Sequence, residues 1–425
     1  MLSEMPSRNT GAAASFPIDE VRAQFPALRV GNRVYLDGPG GTQMCAPAID
    51  AMVRHLESGT ANLGGDFRTS IDTGAMSDAA HAAMADLLGA APDEIGFGPN
   101  MTSLTLSVSR ALAREWRDGD EIVVTRLDHD ANVAPWLLAA EDRGVTVRWL
   151  DFDPDSGTLR IDTLPALLGP RTRLVAVGGA SNAIGTLNDI PAIAAIVKAQ
   201  SSAVLFVDAV QSVPHVITEV AALGCDLLVC SPYKFFGPHQ GVLWGRTELL
   251  ERLRPYKVRP AADRPPARAF ETGTPSFEAQ AAMLGTIDYF DALGTRFARD
   301  GASRVERLRA AFHAFQAYEE QLSARLLDGL RSIPSVKLWG PATIAGRVPT
   351  FGLTIANCRP ERAAEALASR DIFAWAGHFY AIEVVARLGL AESGGLLRLG
   401  LCHYNTGEEI DRTLEALAAI AKRTD

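Results

Sequence analysis

Short β-branched runs that alternate with helical stretches of ten or more residues constrain this chain more than any other feature. "EIVVT" (residues 121–125) reads as a strand, "NVAPWLLAAEDRG" (132–144) as a helix and "VTVRWLDF" (145–152) as a strand again. "RLVAVGGAS" (173–181), "IPAIAAIVKAQ" (190–200), "AVLFVD" (203–208) and "CDLLVC" (225–230) continue the series. Crossover helices of that length join parallel strands, and runs apolar at every position belong to a sheet covered on both faces. The fold class expected is therefore α/β with a mostly parallel central sheet. "GVLWG" (241–245) follows "LLVC" too closely for a crossover helix, so it should run antiparallel or pair elsewhere.

The texture changes after about residue 285. Residues 304–333 have helical periodicity and many charges, as one connecting helix or a pair. Strands are expected at 349–357 and 395–405, and helices at 360–371 and 407–423, which makes a small C-terminal α/β domain. With 425 residues and 47% hydrophobic content, two domains are the default. The divisions expected are a disordered tail over 1–15, an N-terminal helix within 16–30 packing with the small domain, a large domain over 31–300, and the connecting helix with the small domain over 301–425. The helix within the 16–30 segment is read at residues 17–28.

A formal charge of −9 argues against nucleic acid as a partner, because phosphate binding needs a basic face. No stretch has signal-peptide or membrane-spanning character, so a cytoplasmic protein without a membrane partner is expected. The five cysteines, Cys45, Cys225, Cys230, Cys358 and Cys402, have neither disulfide nor metal-site spacing, and no metal is expected.

Ligands of open α/β sheets bind beyond the carboxyl ends of the strands. Those ends carry Asp208 with Gln211 three residues on, Ser181 with Asn182, and Ser231, Tyr233 and Lys234. After "EIGFGP" (94–99), Met101, Thr102 and Ser103 open an amphipathic helix whose free N–H groups suit an anion. Read singly, each has a plain structural alternative: Asp208 or Thr102 as a helix cap, Asn182 as a turn residue, Lys234 as a loop lysine. Read together, an anion cup, an acid, an amide and an amine within apolar surroundings suit an aldehyde cofactor bearing a phosphate and a pyridine ring.

"VDAVQS" (207–212), "SPYK" (231–234), "DHDANVAPW" (128–136), "SNAIGT" (181–186) and "FETGTP" (270–275) occur here in one order. In these motifs, and from residue 35 to 406, the chain resembles the class V aminotransferases of the fold-type I pyridoxal-phosphate enzymes, within them the cysteine desulfurase-like group. The resemblance implies pyridoxal 5'-phosphate as cofactor, an amino acid as substrate and a homodimer. It makes Lys234 the Schiff-base lysine and proton shuttle, Asp208 the partner of the pyridine nitrogen, and His129 the residue stacked on the ring. Gln211 and Asn182 would lie at the phenolic oxygen. Met101, Thr102, Ser231 and Tyr233 would hold the phosphate, with Thr274 reaching the neighbouring subunit's phosphate. Arg398 would grip the substrate carboxylate, its plain alternative being a salt bridge within the small domain.

The pattern departs from desulfurases in "WAGHFYAIEVV" (375–385), where Tyr380 stands at the position of the persulfide-forming cysteine. Cys402, on a strand face with Arg398 by alternation, would lie roughly 13 Å along that strand. "GPGGT" (38–42), with Gly40, either widens the substrate side of the pocket or lets backbone approach it. Arg68 is either a reader of a second acidic group in the partner's site or an exposed loop arginine. Aminotransferase-type chemistry at Cα is the function favoured. β-Elimination, including a C–S lyase, epimerisation and a non-catalytic cofactor-binding protein remain alternatives, because the fold is common to all.

Overall fold

The computed structural model describes residues 15–422. The tail expected over 1–15 therefore lies outside the described residues except for its last position. The strands in chain order are β1 (Val34–Tyr35), β2 (Ile95–Gly98), β3 (Glu121–Thr125), β4 (Thr146–Leu150), β5 (Thr172–Gly178), β6 (Val204–Asp208) and β7 (Leu227–Cys230). They continue with β8 (Gly241–Gly245), β9 (Val336–Trp339), β10 (Thr350–Ile355), β11 (Ile372–Phe373), β12 (Trp375–Gly377) and β13 (Leu396–Gly400).

Seven of these form one sheet in the order β2-β8-β7-β6-β5-β3-β4. Neighbours from β7 to β4 are parallel, while β8 runs antiparallel between β7 and β2. Strands β7 and β8 are buried at every position, as continuous Val/Leu runs require when both sheet faces are covered. The parallel register sets Asp208 between Gly178 on one side and Val229 on the other. The carboxyl ends of β5, β6 and β7 thus form one shelf. A second sheet, β12-β13-β10-β9, is wholly antiparallel. Phe351, Leu353, Leu397 and Leu399 point from it into a core with Leu322, Leu326, Leu330 and Leu417. Alternation turns Gly352 and Arg398 to its other face.

The helix Phe277–Thr295 is buried nearly all round and joins several neighbours. Gly285 lets the helix Ala46–Glu57 cross closely, since a Cβ there would stand 2.1 Å from the Pro47 carbonyl oxygen. Gly294 does the same for the Arg304–Arg331 helix, with only 1.8 Å to the Arg307 oxygen. That 28-residue connecting segment is a single helix, opened by a reciprocal Ser303–Glu306 capping box.

Three sequence expectations need correction. The first helix covers only Ile18–Ala23, followed by a 3-10 turn over Pro26–Arg29. Pro26 offers no N–H and drives Phe25 to extended backbone, which ends the helix early. Phe25 then fills a cluster with Phe236, Tyr289 and Tyr404, and Arg22 pairs with Glu409 at 2.8 Å. The helix expected from residue 132 starts at Ala134, because Asp130–Asn132 is a 3-10 turn capped by His129. The last strand stops at Gly400, because the Cys402 N–H donates to Asn405 Oδ1 at 2.9 Å and folds the chain into a turn. Cys402 is therefore not on a strand face with Arg398.

Among the described residues no helix is long and apolar enough to cross a membrane, and no His/Cys/Asp/Glu cluster could hold a metal. The close crossing at Gly285 predicts that Gly285→Ala destabilises the protein by about 1–3 kcal/mol, read as a lower thermal midpoint. Gly74, mid-helix with nothing within 4 Å of a Cβ, is the opposite case. Gly74→Ala should stabilise by about 0.5–1 kcal/mol.

Candidate active site

Lys234 ends a 3-10 turn, Pro232–Lys234, that leaves β7 directly over the shelf. Its side chain is buried, and its Nζ donates to the carbonyls of Pro39 at 2.6 Å and Gly40 at 3.0 Å. Gln211 Nε2 donates to the same Pro39 oxygen at 2.9 Å. The loop that offers these carbonyls leaves no room for a Cβ at Gly38 or Gly40. A Cβ on Gly40 would lie 2.5 Å from Trp375 Nε1, and one on Gly38 2.8 Å from Cys402 Sγ. On the strand facing the loop, a Cβ on Gly400 would meet the Pro39 ring at 1.9 Å. Of the two readings of "GPGGT", close backbone approach is what the geometry shows.

Burial pulls the Lys234 amine down to about 7 from its ordinary value. The Arg398 charge pushes the same way, and Asp208 partly opposes them. The amine also lies 4.5 Å from the centre of the Tyr233 ring, which itself stacks on His239 at 4.7 Å. Asp208 ends β6, and its Oδ1 accepts the Val210 N–H at 3.0 Å. Burial raises its carboxyl to about 6, against the lowering effects of that N–H and of Lys234. No cation lies within ion-pair distance of Asp208 among the described residues, so a protonated ring nitrogen would supply what the carboxylate lacks.

His129 caps the turn Asp130–Asn132, its Nδ1 accepting the Ala131 N–H at 3.0 Å. That contact assigns the ring proton to Nε2. Burial, then Lys234 and Arg398, push the imidazole down to about 4, so it is neutral at pH 7. A neutral ring can stack on a heterocycle without adding charge. Ser231 Oγ accepts the Met101 N–H at 3.4 Å, at the start of the helix Met101–Ala113. The cap of that helix is Asn100, which accepts from Ser103 N, while Thr102 is exposed and turned toward Met101 Sδ.

Arg398 is 4% exposed at the centre of the smaller sheet, paired in register with Gly352 and Trp375. One guanidinium nitrogen donates to the Asn182 carbonyl at 2.9 Å, and its Nε has no partner. The salt bridge within the small domain, its plain alternative, does not form: no acid stands within ion-pair distance among the described residues. Burial lowers the guanidinium to about 9, with Asp37 opposing. Asn182 Nδ2 donates to the Phe379 carbonyl at 2.8 Å, and its buried Oδ1 has no partner. Tyr380, 65% exposed, sets its ring 5.4 Å from His129, and its carbonyl accepts the Asp130 N–H at 2.7 Å.

Lys234, Asp208, Gln211, His129, Asn182, Arg398, Gly40 and Tyr380 are thus brought around one shelf. Thr274 and Arg68 are not joined to it within this chain. Thr274 is exposed on a cavity of about 400 Å³ that His239 and Gln240 also line, and it makes no hydrogen bond to Ser231 or Thr102. Arg68 opens a helix at the surface in an ion pair with Asp72.

Several participants escaped sequence reasoning. Asp128 is buried and accepts from Thr125 Oγ1, Gly178 N and Asn132 Nδ2, tying the ends of β3 and β5 together beneath His129. Asn132 in turn accepts from Trp136 Nε1. The i, i+4, i+8 spacing of Asp128, Asn132 and Trp136 was a usable signal. Asp37, whose buried Oδ1 lacks a partner, Trp375 and Phe379 had none, since only the tertiary closure brings them in.

A desolvated lysine, a cation-hungry carboxylate and an arginine with unspent donors, at the strand ends of an α/β sheet, define a pyridoxal-phosphate enzyme. The aminotransferase class-V family profile matches residues 34–413, and the chain belongs to that family. The aminotransferase-like protein FGM3 of Gibberella zeae is 31% identical over 96% of this chain and 100% of its own length. A cysteine desulfurase of Serratia proteamaculans is 30% identical over 96% of this chain and 99% of its own. The apo structure of a cysteine desulfurase from Thermococcus onnurineus superimposes with a TM-score of 0.86 at 26% identity, covering 97% of this chain and all of that one. Fold type I and pyridoxal phosphate as cofactor follow for this chain.

The amine's position predicts its reactivity. In cofactor-free protein the rate of pyridoxal-phosphate capture at Lys234 should rise with pH to half its maximum near pH 7, followed by stopped-flow absorbance. A half-maximum at pH 9 or above would contradict the buried geometry.

Proposed function

We propose that this enzyme carries out aminotransferase-type chemistry on an α-amino acid, with Lys234 moving the Cα proton and no protein persulfide formed. The observation that carries the proposal is the buried Lys234 amine, held by two carbonyls in surroundings that lower its proton affinity. When bound, pyridoxal phosphate supplies an aldehyde that condenses with amines and a ring that withdraws electrons from Cα.

This chain's residues would then do the following. Asp208 keeps a proton on the ring nitrogen opposite it. His129 covers a ring face while remaining uncharged. Ser231, Met101 N–H and Thr102 hold the phosphate at the helix start, with Gln211 and Asn182 at the phenolic oxygen. Arg398 turns its free N–H edge to the substrate carboxylate. Lys234 Nζ would accept the Cα proton and return it two atoms along, past the amino nitrogen, which general acid–base transfer by a poised amine permits. A homodimer, with Thr274 reaching the partner's phosphate and Arg68 toward its substrate, accords with the exposure of both residues.

Thiol chemistry is disfavoured by the place of the cysteines. Cys45, Cys225, Cys230 and Cys402 are buried, and burial pushes the thiols of Cys45 and Cys225 up to about 12 and those of Cys230 and Cys402 well above the usual range. Cys358 lies in the turn after β10, and Tyr380 rather than a cysteine faces His129. The desulfurase relatives support β-elimination at a C–S bond as the second reading, since release of sulfide by elimination needs no thiol.

Amino acids screened against holoenzyme for keto acid, sulfide, ammonia and racemised product should yield keto acid without free ammonia or sulfide, at most one equivalent per site alone and catalytically when a second keto acid is added to take the amino group. Deuterium exchange at Cα should fall roughly 10²–10⁴-fold in Lys234→Ala. Undiminished exchange sinks the role of Lys234. A persulfide on any cysteine, detected by intact-mass analysis after incubation with L-cysteine, overturns the thiol-free reading.

A further inference from the structure

We infer that Phe379 is a positioning residue for the substrate carboxylate, fixing the plane of the Arg398 guanidinium by lying against its face. This inference rests on Arg398 as the carboxylate anchor proposed above. Arg398 Cζ stands 4.1 Å from the centre of the Phe379 ring, within the range of a cation–π contact. The guanidinium is buried without a carboxylate beside it among the described residues, so the ring is one of few groups that compensate its charge. The others are the Asn182 carbonyl and, more remotely, Asp37.

The backbone is bent to make this contact. Phe379 and Tyr380 both adopt left-handed conformations, φ 52° and 58°, directly after His378 and a Gly377 at φ 122°. Consecutive non-glycine residues in that region persist only where the surroundings hold them there. Here they are held: Asn182 Nδ2 donates to the Phe379 carbonyl, Asp130 N–H donates to that of Tyr380, and Tyr380 N–H donates to His378 Nδ1. Asn182 therefore links both partners, its side chain fixing Phe379 and its own carbonyl accepting from Arg398.

A guanidinium carries its N–H groups in its plane. A ring against the face leaves the edge free, and the edge is what a carboxylate engages in a two-bond fork. Nε, buried and without a partner, is one of the donors in that plane. The segment that aligns with the nucleophile loop of desulfurases thus acts here as a fixed support for substrate recognition.

The test uses holoenzyme with two probes, propionate, a carboxylate without an amine, and n-propylamine, an amine without a carboxylate. Calorimetry reads the first and the cofactor absorbance the second. Phe379→Leu should weaken propionate roughly three- to tenfold while leaving n-propylamine unchanged. Phe379→Trp, which keeps a π-face, should hold propionate within about twofold of wild type. Arg398→Gln should abolish propionate binding. If Arg398→Gln abolishes it but Phe379→Leu does not weaken it, the positioning role is wrong and the anchor stands. Equal weakening of both probes in Phe379→Leu reduces the ring to a packing group and also overturns the inference. Failure of wild type to bind propionate, or indifference to Arg398→Gln, removes the anchor itself.

Discussion

The structure depends on keeping one amine out of water. A buried ammonium is costly, and proteins meet that cost by partial neutralisation or by hydrogen bonding. Lys234 receives both. The Gly-Pro-Gly-Gly loop after β1 delivers two carbonyls to Nζ, and its close approach depends on missing Cβ atoms, where Trp375 and Cys402 press on Gly40 and Gly38 and the Pro39 ring presses on Gly400. The larger sheet supplies the lysine and Asp208, and the smaller supplies the residues that press the loop against them. The amine is thus set by contacts from both sheets at once.

Charge organisation follows from the same enclosure. Burial and then Arg398 depress Lys234, Asp208 is raised by burial yet tempered by Lys234, and His129 is driven neutral by burial and then by both cations. Each group is left with an unmet demand: Asp208 for a cation, Arg398 for a carboxylate. In the function proposed, a pyridinium and the carboxylate of an amino acid would meet those demands and complete a field that the protein alone leaves unbalanced. Beneath it, Asp128 fastens the ends of β3 and β5 and fixes the turn that carries His129.

How much of this was legible in the chain depends on how local the cause is. The sheet could be read because its central strands β6 and β7 are almost wholly apolar, and β8 could be read as antiparallel or paired elsewhere because too few residues precede it for a crossover helix. Lys234, Asp208 and Gln211 stand out because they directly follow strands. Element limits differ from the sequence reading where a single residue decides, as Pro26 does for the first helix, or where a side chain folds the backbone, as Asn405 does for the last strand. Asp37, Trp375 and Phe379 carry no local signature. Trp375 and Arg398 are 23 residues apart and meet only through the register of β12 on β13. Thr274 and Arg68 are exposed and touch none of these groups within this chain, and a role for either rests on the homodimer proposed above.

The central claim is that one amine, and no other, takes the aldehyde. The chain has five lysines, Lys198, Lys234, Lys257, Lys337 and Lys422, so the alternatives are few. Holoenzyme reduced with borohydride and digested for peptide mapping should carry a phosphopyridoxyl group on Lys234. A modified peptide containing any of the other four, or no modified lysine at all, would contradict the account.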